Sequence, residues 1–330
     1  MSLDASPAVR SVSVAVTGAT GFVGRALVAH LAGRGHSVVA LSRSAQAGGG
    51  PRVRWAAYDP LSPASCREAV AGCEAVVHLA GAGLFDGRWS RKRMAAIRSS
   101  RVDGTRALVE GIAGAPSRPR VLVSGSAVGV YGPRDPDEVL TEDSAPGNDF
   151  LAEVCAAWEQ EAKRAEEHGL RVALSRTGIV LGRGGGALKK MALPFKLFVG
   201  GPIGSGKQAT SWIHVEDLVR LVTAIVAEDS WRGPVNATAP NPVTNREFSK
   251  ALGKALHRPS FLPVPGFALR IAVGKVASIL TTGQRVLPKV ALEKGFSFGF
   301  PTVEEALADL CADAPPEGTG PEGVPSGESP

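Results

Sequence analysis

Short apolar runs rich in Val, Leu and Ala alternate with longer stretches whose apolar positions recur at helical spacing, and this rhythm carries the first half of the chain. Residues 11–16 alternate into a β-branched run, a glycine-rich turn follows, and 22–34 reads as a helix closed by Gly35. Residues 37–41, 53–57 and 75–79 predict three more strands, with helical stretches at 62–71 and 90–113. A strand at 121–124, a helix over 149–168 and a strand at 171–175 extend the series. Such alternation predicts a parallel sheet, and the near-universal right-handed crossover leaves a Rossmann-type, doubly wound α/β fold as the leading topology.

Past Arg176 the pattern loosens. Glycine-rich turns at 182–186 and 200–206 precede a helix at 215–228 and a strand at 235–238, and further helices are expected at 244–257, 267–280 and 303–310. The expected organisation is a dinucleotide-binding domain over 11–175 and a smaller C-terminal substrate lobe over 176–311, with 233–240 able to return to the sheet. Residues 1–10 and 312–330 are expected to be disordered. The tail from Pro315 is made largely of Pro, Gly, Glu and Ser and cannot bury enough apolar surface to offset its ordering entropy.

Composition then narrows the classes of function. With 330 residues, 44% hydrophobic and 21% charged, the chain is ordinary globular material. Its net charge of +6 is dispersed among acidic residues, with no basic stripe interleaved with aromatics, which argues against a nucleic-acid partner. Cys66, Cys73, Cys155 and Cys311 show no C-x-x-C spacing and are too sparse for a secreted disulfide scaffold, so free thiols and no metal site are expected. The N-terminus lacks the basic and apolar regions of a secretory signal. The best apolar candidate for a membrane span, 267–280, falls short of about 20 residues and is interrupted by Arg270 and Lys275. A cytoplasmic protein with no membrane partner is the expectation.

The strongest chemical signal is Gly18-x-x-Gly21-x-x-Gly24, placed between the first strand and the first helix. Gly18 permits the tight turn, Gly21 lets backbone approach a pyrophosphate, and Gly24 lets the helix sit close to the sheet. Together with Thr20, Phe22 and Val23 they present free helix-end amides to phosphates. Past the second strand, where an acidic residue would accept from the ribose hydroxyl of NAD, the chain reads Ser42-Arg43-Ser44. An arginine fork there suits a 2′-phosphate, so NADP(H) is the expected cofactor, the alternative for Arg43 being a plain surface residue. Asp59, before Pro60, either accepts from the adenine amino group or forms a turn.

Thr17-Gly-x-x-Gly-x-x-Gly24, His78-Leu79-Ala80-Gly81, Ser124-Gly125-Ser126-Ala127, Val130-Tyr131-Gly132 and the run Trp212 to Leu218 together resemble the extended short-chain dehydrogenase/reductase superfamily. The segments beginning at Ser99, Arg176, Asn236 and Gly283 are similar to an atypical subgroup of epimerase-family proteins, NAD-dependent epimerase/dehydratases with a C-terminal extension of unknown function. Some of its members carry a cell-division-inhibitor label. The resemblance implies a nicotinamide site at the strand ends, with Leu79, Ala80, Gly81, Arg101, Ser124, Gly178 and Val180 joining the glycine turn around the cofactor. It also implies a serine paired with a Tyr-x-x-x-Lys, in which the lysine lowers the tyrosine pKa.

Here the chain departs from that pattern. Ser126 is the best match to the serine, with Ser124 the alternative, but the expected tyrosine and lysine positions fall at Leu151 and Cys155. Arg101 stands where an asparagine is usual. Tyr131, the one remaining tyrosine near the nicotinamide, is either a packed ring or a substitute acid/base. In the second case Ser126 and Tyr131 bind a carbonyl or hydroxyl while Arg101 supplies positive charge.

Other side chains carry less. His214 is either a ligand in the substrate lobe or a histidine satisfied by backbone. Lys189, Lys190 and Lys207 flank glycine-rich loops as anion ligands or solvated residues, and Asn236 and Asn245 are expected to fix turns. Residues 201–207 approach a P-loop but Gln208 replaces its Ser/Thr, which removes that reading. The sequence thus supports an NADP(H)-dependent oxidoreductase or epimerase acting on a small carbonyl or hydroxyl compound, as a monomer or homodimer. The alternative is an NADP(H)-binding redox-sensing regulator with a protein partner and little turnover.

Overall fold

Strand β1 (Ser13–Thr17) leads through the glycine turn into α1 (Phe22–Gly33), and from there the chain alternates strand and helix. The computed structural model describes residues 10–44, 46, 49–266, 269, 274 and 277–312. β2 (Ser37–Ser42), β3 (Val53–Ala57), α2 (Pro63–Ala69), β4 (Ala75–His78) and α3 (Arg91–Ala113) complete the first half of the sheet. β5 (Val121–Ala127), α4 (Phe150–Lys163) and β7 (Arg171–Thr177) continue into the second, while the short β6 (Val139–Leu140) lies outside this sheet and pairs with Arg285–Val286. The seven-stranded sheet runs in the order β11-β7-β5-β4-β1-β2-β3, and each pairing in it is parallel. β2 and β4 therefore leave β1 on opposite sides, which makes the carboxyl end of β1 the switch point where open α/β sheets bind ligands.

Beyond β7 come β8 (Ile179–Leu181), α5 (Gly186–Lys196), β9 (Ala209–Thr210), β10 (Trp212–His214) and α6 (Val215–Ala227). β11 (Gly233–Ala237) then pairs with β7 along the sheet edge, followed by β12 (Val243–Thr244) and α7 (Asn245–Ala255). A break between residues 175 and 176 would therefore cut through β7, and 233–237 belongs to the sheet rather than to the lobe. The two faces of the sheet bury separate cores. α1 and α6 cover one through Leu27, Leu31, Leu221 and Ile225, while α2, α3 and α4 cover the other through Cys66, Leu108, Ile112 and Ala162. Trp158 of α4 points into its own chain's interior, whereas Ala156 is exposed.

A third core joins α5, α7 and the helix Val303–Cys311 around Trp212 and Phe248. The lobe also hangs on Asp217, buried near the start of α6. Its carboxylate accepts from the amides of Gly299 at 2.8 Å and Phe300 at 2.9 Å, and from Arg220 at 2.8 Å. Two sequence expectations need correction. The turn expected to extend over 182–186 passes into α5, hidden because Pro194 and a leading glycine read as breakers. The two- and three-residue strands β6, β8, β9, β10 and β12 are too short to carry periodicity. Residues 1–9 and 313–330, with most of the helix expected at 267–280, lie outside the described residues; Ala277–Thr281 is helical.

One buried polar chain fixes the switch point. The Thr17 hydroxyl oxygen accepts from the amides of Leu79 at 3.1 Å and Ala80 at 3.2 Å, so its own proton goes to His78 Nδ1, 2.8 Å away. That fixes the tautomer: His78 Nε2–H donates to the Thr105 hydroxyl at 3.0 Å. Burial pushes the His78 pKa down to about 4. The unfolded chain takes up this proton near pH 6.5 and the folded chain does not until about pH 4, so stability is intact above 6.5 and falls as the pH drops through that window. Urea melts across it should lose roughly 3 kcal/mol from this one group, and His78→Gln should flatten the slope by about one proton. An unchanged slope in the variant would show that other groups carry the acid sensitivity.

Candidate functional site

The cradle at the switch point is built from backbone. Gly18 has φ +68°, in the left-handed region, and a Cβ there would lie 2.9 Å from the carbonyl group of Leu79. A Cβ at Gly24 would overlap the Gly18 carbonyl oxygen, so α1 can start this close to the turn only with glycine. Gly21 donates its amide to Gly18 O at 2.9 Å and caps α1 with no side-chain bond. The first turn of α1 holds no acidic residue. The helix end thus offers the amides that follow Gly21 and its dipole to an anion, with no carboxylate competing. Thr20 is exposed beside them, while Phe22 is enclosed by the glycine loop before α5: a Cβ at Gly186 would come within 2.9 Å of its ring.

At the other end of the same edge, a cleft of about 380 Å³ opens past β2 and β3, lined by Arg43, Ala57, Tyr58, Asp59 and Pro60. Arg43 is exposed there, and Ser42 turns its hydroxyl inward to the Ser44 carbonyl. Asp59 does hold a turn, its Oδ1 accepting from the Leu61 amide at 2.9 Å, yet it also borders the cleft. The glycine cradle and this cleft fit the pyrophosphate and adenosine ends of a dinucleotide. Leu79 and Ala80 are set by their bonds to Thr17, and Gly81 continues from them, exposed.

Other expected contacts are placed differently. Ser124 has 0% of its surface exposed and donates to the Gly125 carbonyl at 3.1 Å, so its hydroxyl faces protein rather than a cofactor. Gly178 serves close packing: a Cβ there would sit 2.7 Å from the Ser211 carbonyl oxygen. Val180 lies in β8, opposite Ile213, with its side chain against the α1–α6 core.

Ser126 and Tyr131 belong to a buried network instead of facing a reaction centre. Ser126 donates to Glu159 at 2.6 Å, and Arg176 grips the same carboxylate with two bonds of 2.9 Å. Arg176 also donates to the Tyr131 hydroxyl at 3.0 Å, which in turn donates to Asn236 at 2.7 Å. Asn236 continues to the Leu287 carbonyl, and Glu142 accepts from the amides of Asn236 and Val290. Tyr131 is 0% exposed, and burial pushes its phenol above the usual range. Although burial opposes charge on Arg176, its bonds to Glu159 hold the guanidinium charged more firmly. The expected acid/base pair is thus a tie between α4, the sheet and the C-terminal segment, a role that a serine and a tyrosine near the β5 terminus do not advertise in sequence.

At the positions of the missing tyrosine and lysine, Leu151 and Cys155 lie on one face of α4, with burial pushing the Cys155 thiol up to about 12. Arg101 is half-buried beside them. Its Nη1 donates to the carbonyls of Ala82 at 3.0 Å and Ile97 at 3.2 Å, and its plane lies close to Gly81. His214 packs inside the lobe: its Nδ1 caps α6 by accepting from the Glu216 amide, its ring stacks on Phe300 at 3.8 Å, and its Nε2 lies 3.3 Å from Asp309 without a hydrogen bond. Lys190 donates to the Phe85 carbonyl at 3.2 Å, Lys189 and Lys207 are exposed, and Asn245 bonds the Ile203 amide at 2.7 Å. Among the described residues no His/Cys/Asp/Glu cluster suits a metal ion, and no helix is long and apolar enough to cross a membrane.

Comparison with known proteins agrees with this geometry. Residues 14–236 match the NAD dependent epimerase/dehydratase family, and residues 264–310 match a domain of unknown function, DUF1731. The chain is 44% identical over 299 residues to an Arabidopsis thaliana epimerase family protein, the chloroplastic SDR39U1 homologue, covering 89% of this chain and 85% of the relative. It is 39% identical to epimerase family protein YfhF of Bacillus subtilis, covering 91% and 98%. The crystal structure of human epimerase family protein SDR39U1 with NADPH superposes with a TM-score of 0.79 at 33% identity, covering 92% of this chain and all of that one. A glycine cradle at the switch point, a Rossmann-type sheet ordered 3-2-1-4-5-7-11 and these matches make the chain a member of the NAD dependent epimerase/dehydratase family, with a C-terminal DUF1731 domain.

Proposed function

We propose that this protein is an NADP(H)-dependent oxidoreductase or epimerase acting on a small carbonyl or hydroxyl compound. The observation that carries the reading is the uncapped, acid-free start of α1, with Arg43 rather than an acidic residue directly after β2 in the lining of the cleft. Gly18, Gly21 and Gly24 would admit the pyrophosphate, the helix-end amides would bind it, and Arg43 would pair with a 2′-phosphate that an acidic residue would repel. The NADPH held by the human relative supports the same choice. The bound nucleotide would supply hydride chemistry, and the protein would supply orientation. Titration followed by nucleotide fluorescence should show NADPH binding at least tenfold tighter than NADH, and Arg43→Ala should erase most of that gap. Equal affinities in the parent protein would remove the assignment.

A second reading has its own support. The hydroxyls of Ser126 and Tyr131 are spent inside the protein, and neither Leu151 nor Cys155 can relay a proton in the usual way. An NADP(H)-holding regulator with little turnover would need nothing more. Stopped-flow oxidation of bound NADPH by a carbonyl and quinone panel favours the enzyme; inert cofactor together with a specific partner favours the regulator. The network makes one further demand in either case. Tyr131→Phe leaves donors and acceptors of Arg176 and Asn236 unpaired, so it should cost about 1–3 kcal/mol in a chemical melt. A change in turnover without that loss of stability would return Tyr131 to the reaction centre.

A further inference from the structure

Arg101 is a buried-side cation without a counter-ion. Both bonds that hold it use Nη1, to the carbonyls of Ala82 and Ile97, which leaves the Nε and Nη2 edge with no partner among the described residues. That edge presents two parallel N–H donors, the geometry that matches a carboxylate bidentately. Its neighbour Arg93 differs in this respect, since Asp86 lies 3.3 Å from it. No carboxylate comes within ion-pair distance of Arg101 among the described residues.

The surroundings are apolar and built. Trp158 stands 5.4 Å from the guanidinium, and its buried Nε1 donor also lacks a partner. Leu151, Cys155 and Trp158 follow one face of α4 at helical spacing, and a Cβ at Gly129 would touch both Leu151 and Cys155. At the start of that helix Phe150 packs edge-on against Trp89 at 5.5 Å, closing the same side with aromatic surface. Gly81 keeps the guanidinium uncovered at the carboxyl end of β4, because a Cβ there would lie 3.2 Å from the Arg101 Cζ atom. The Nε–Nη2 edge is thus neither bonded among the described residues nor sealed inside the protein, and a ligand can reach it.

We propose that the Nε–Nη2 edge of Arg101 is a substrate subsite that takes the carboxylate of a small apolar or aromatic acid. The proposal deepens the oxidoreductase reading above and rests on it for the position of the reacting end. The chemistry differs from recognition of a polyhydroxylated sugar, which would call for several polar side chains where the α4 face offers Leu151, Cys155 and Trp158. Burial lowers the Arg101 pKa from its ordinary value, but the group remains a cation at neutral pH.

The test uses full-length protein, with and without NADP⁺, titrated with cinnamate and with its neutral isostere cinnamamide while tryptophan fluorescence and heat are recorded. Cinnamate should bind at least tenfold tighter than cinnamamide. Arg101→Met should abolish that preference, and Arg101→Lys should recover only part of it, because a point charge lacks the planar fork. Thermal melts identify any variant that fails to fold, and the Lys variant then carries the comparison. Equal binding of the two probes, no binding of either, or an unchanged preference in a folded variant overturns the subsite. So does a tenfold loss of NADPH affinity in Arg101→Met, which would give the cation to the dinucleotide. Failure of NADP⁺ to bind the parent protein is read in its own arm, and would sink the cofactor reading while the cinnamate comparison still reports on Arg101.

Discussion

A threonine hydroxyl that accepts two amides and donates to a buried histidine fixes the carboxyl end of β1, where the proposed phosphate cradle lies. Thr17 ends β1, His78 ends β4, and Thr105 comes from α3, so one network of four hydrogen bonds joins two strands and a helix at the point where the sheet reverses its winding. The residues just beyond, Gly18 on one side and Leu79 to Gly81 on the other, inherit their positions from it. Both the proposed phosphate cradle and the approach of Gly81 to Arg101 depend on that register.

A second network does the corresponding job at the far side of the site. Glu159 and Arg176 form a buried, doubly bonded ion pair whose remaining capacity is taken up by Ser126, Tyr131 and the Glu142 carbonyl. A buried pair of this kind is costly to break and only weakly stabilising when intact, so its value lies in specificity of arrangement. Through Asn236 and Glu142 it reaches the segment at Leu287 and Val290, within the DUF1731 domain. Ser126, which the superfamily pattern offers to catalysis, and Tyr131 are here part of the joint between the sheet and the C-terminal extension.

The contrast between Arg176 and Arg101 follows from partners alone. Arg176 is buried and has its carboxylate inside the fold, whereas the half-buried Arg101 is held by carbonyls that fix its direction without neutralising it. A cation oriented by protein and left without a carboxylate is what the proposed subsite rests on.

What the chain alone determined was the order of its layers and the cradle. Each of the seven sheet strands overlaps an apolar run read from sequence, and Gly18 and Gly24 sit where backbone crowding admits no side chain, with Gly21 in a tighter than ordinary contact, because local pattern and sterics act over a few residues. The helix α5 escaped notice since Pro194 and its glycines mask its periodicity, and β8 and β10 were too short to show any. The fates of Ser126, Tyr131 and Arg101 were decided only by tertiary structure. A side chain's chemistry depends on which partners arrive from distant segments, and the ones that matter here lie 33 residues away for Ser126 and 105 for Tyr131, separations over which sequence spacing carries no geometry.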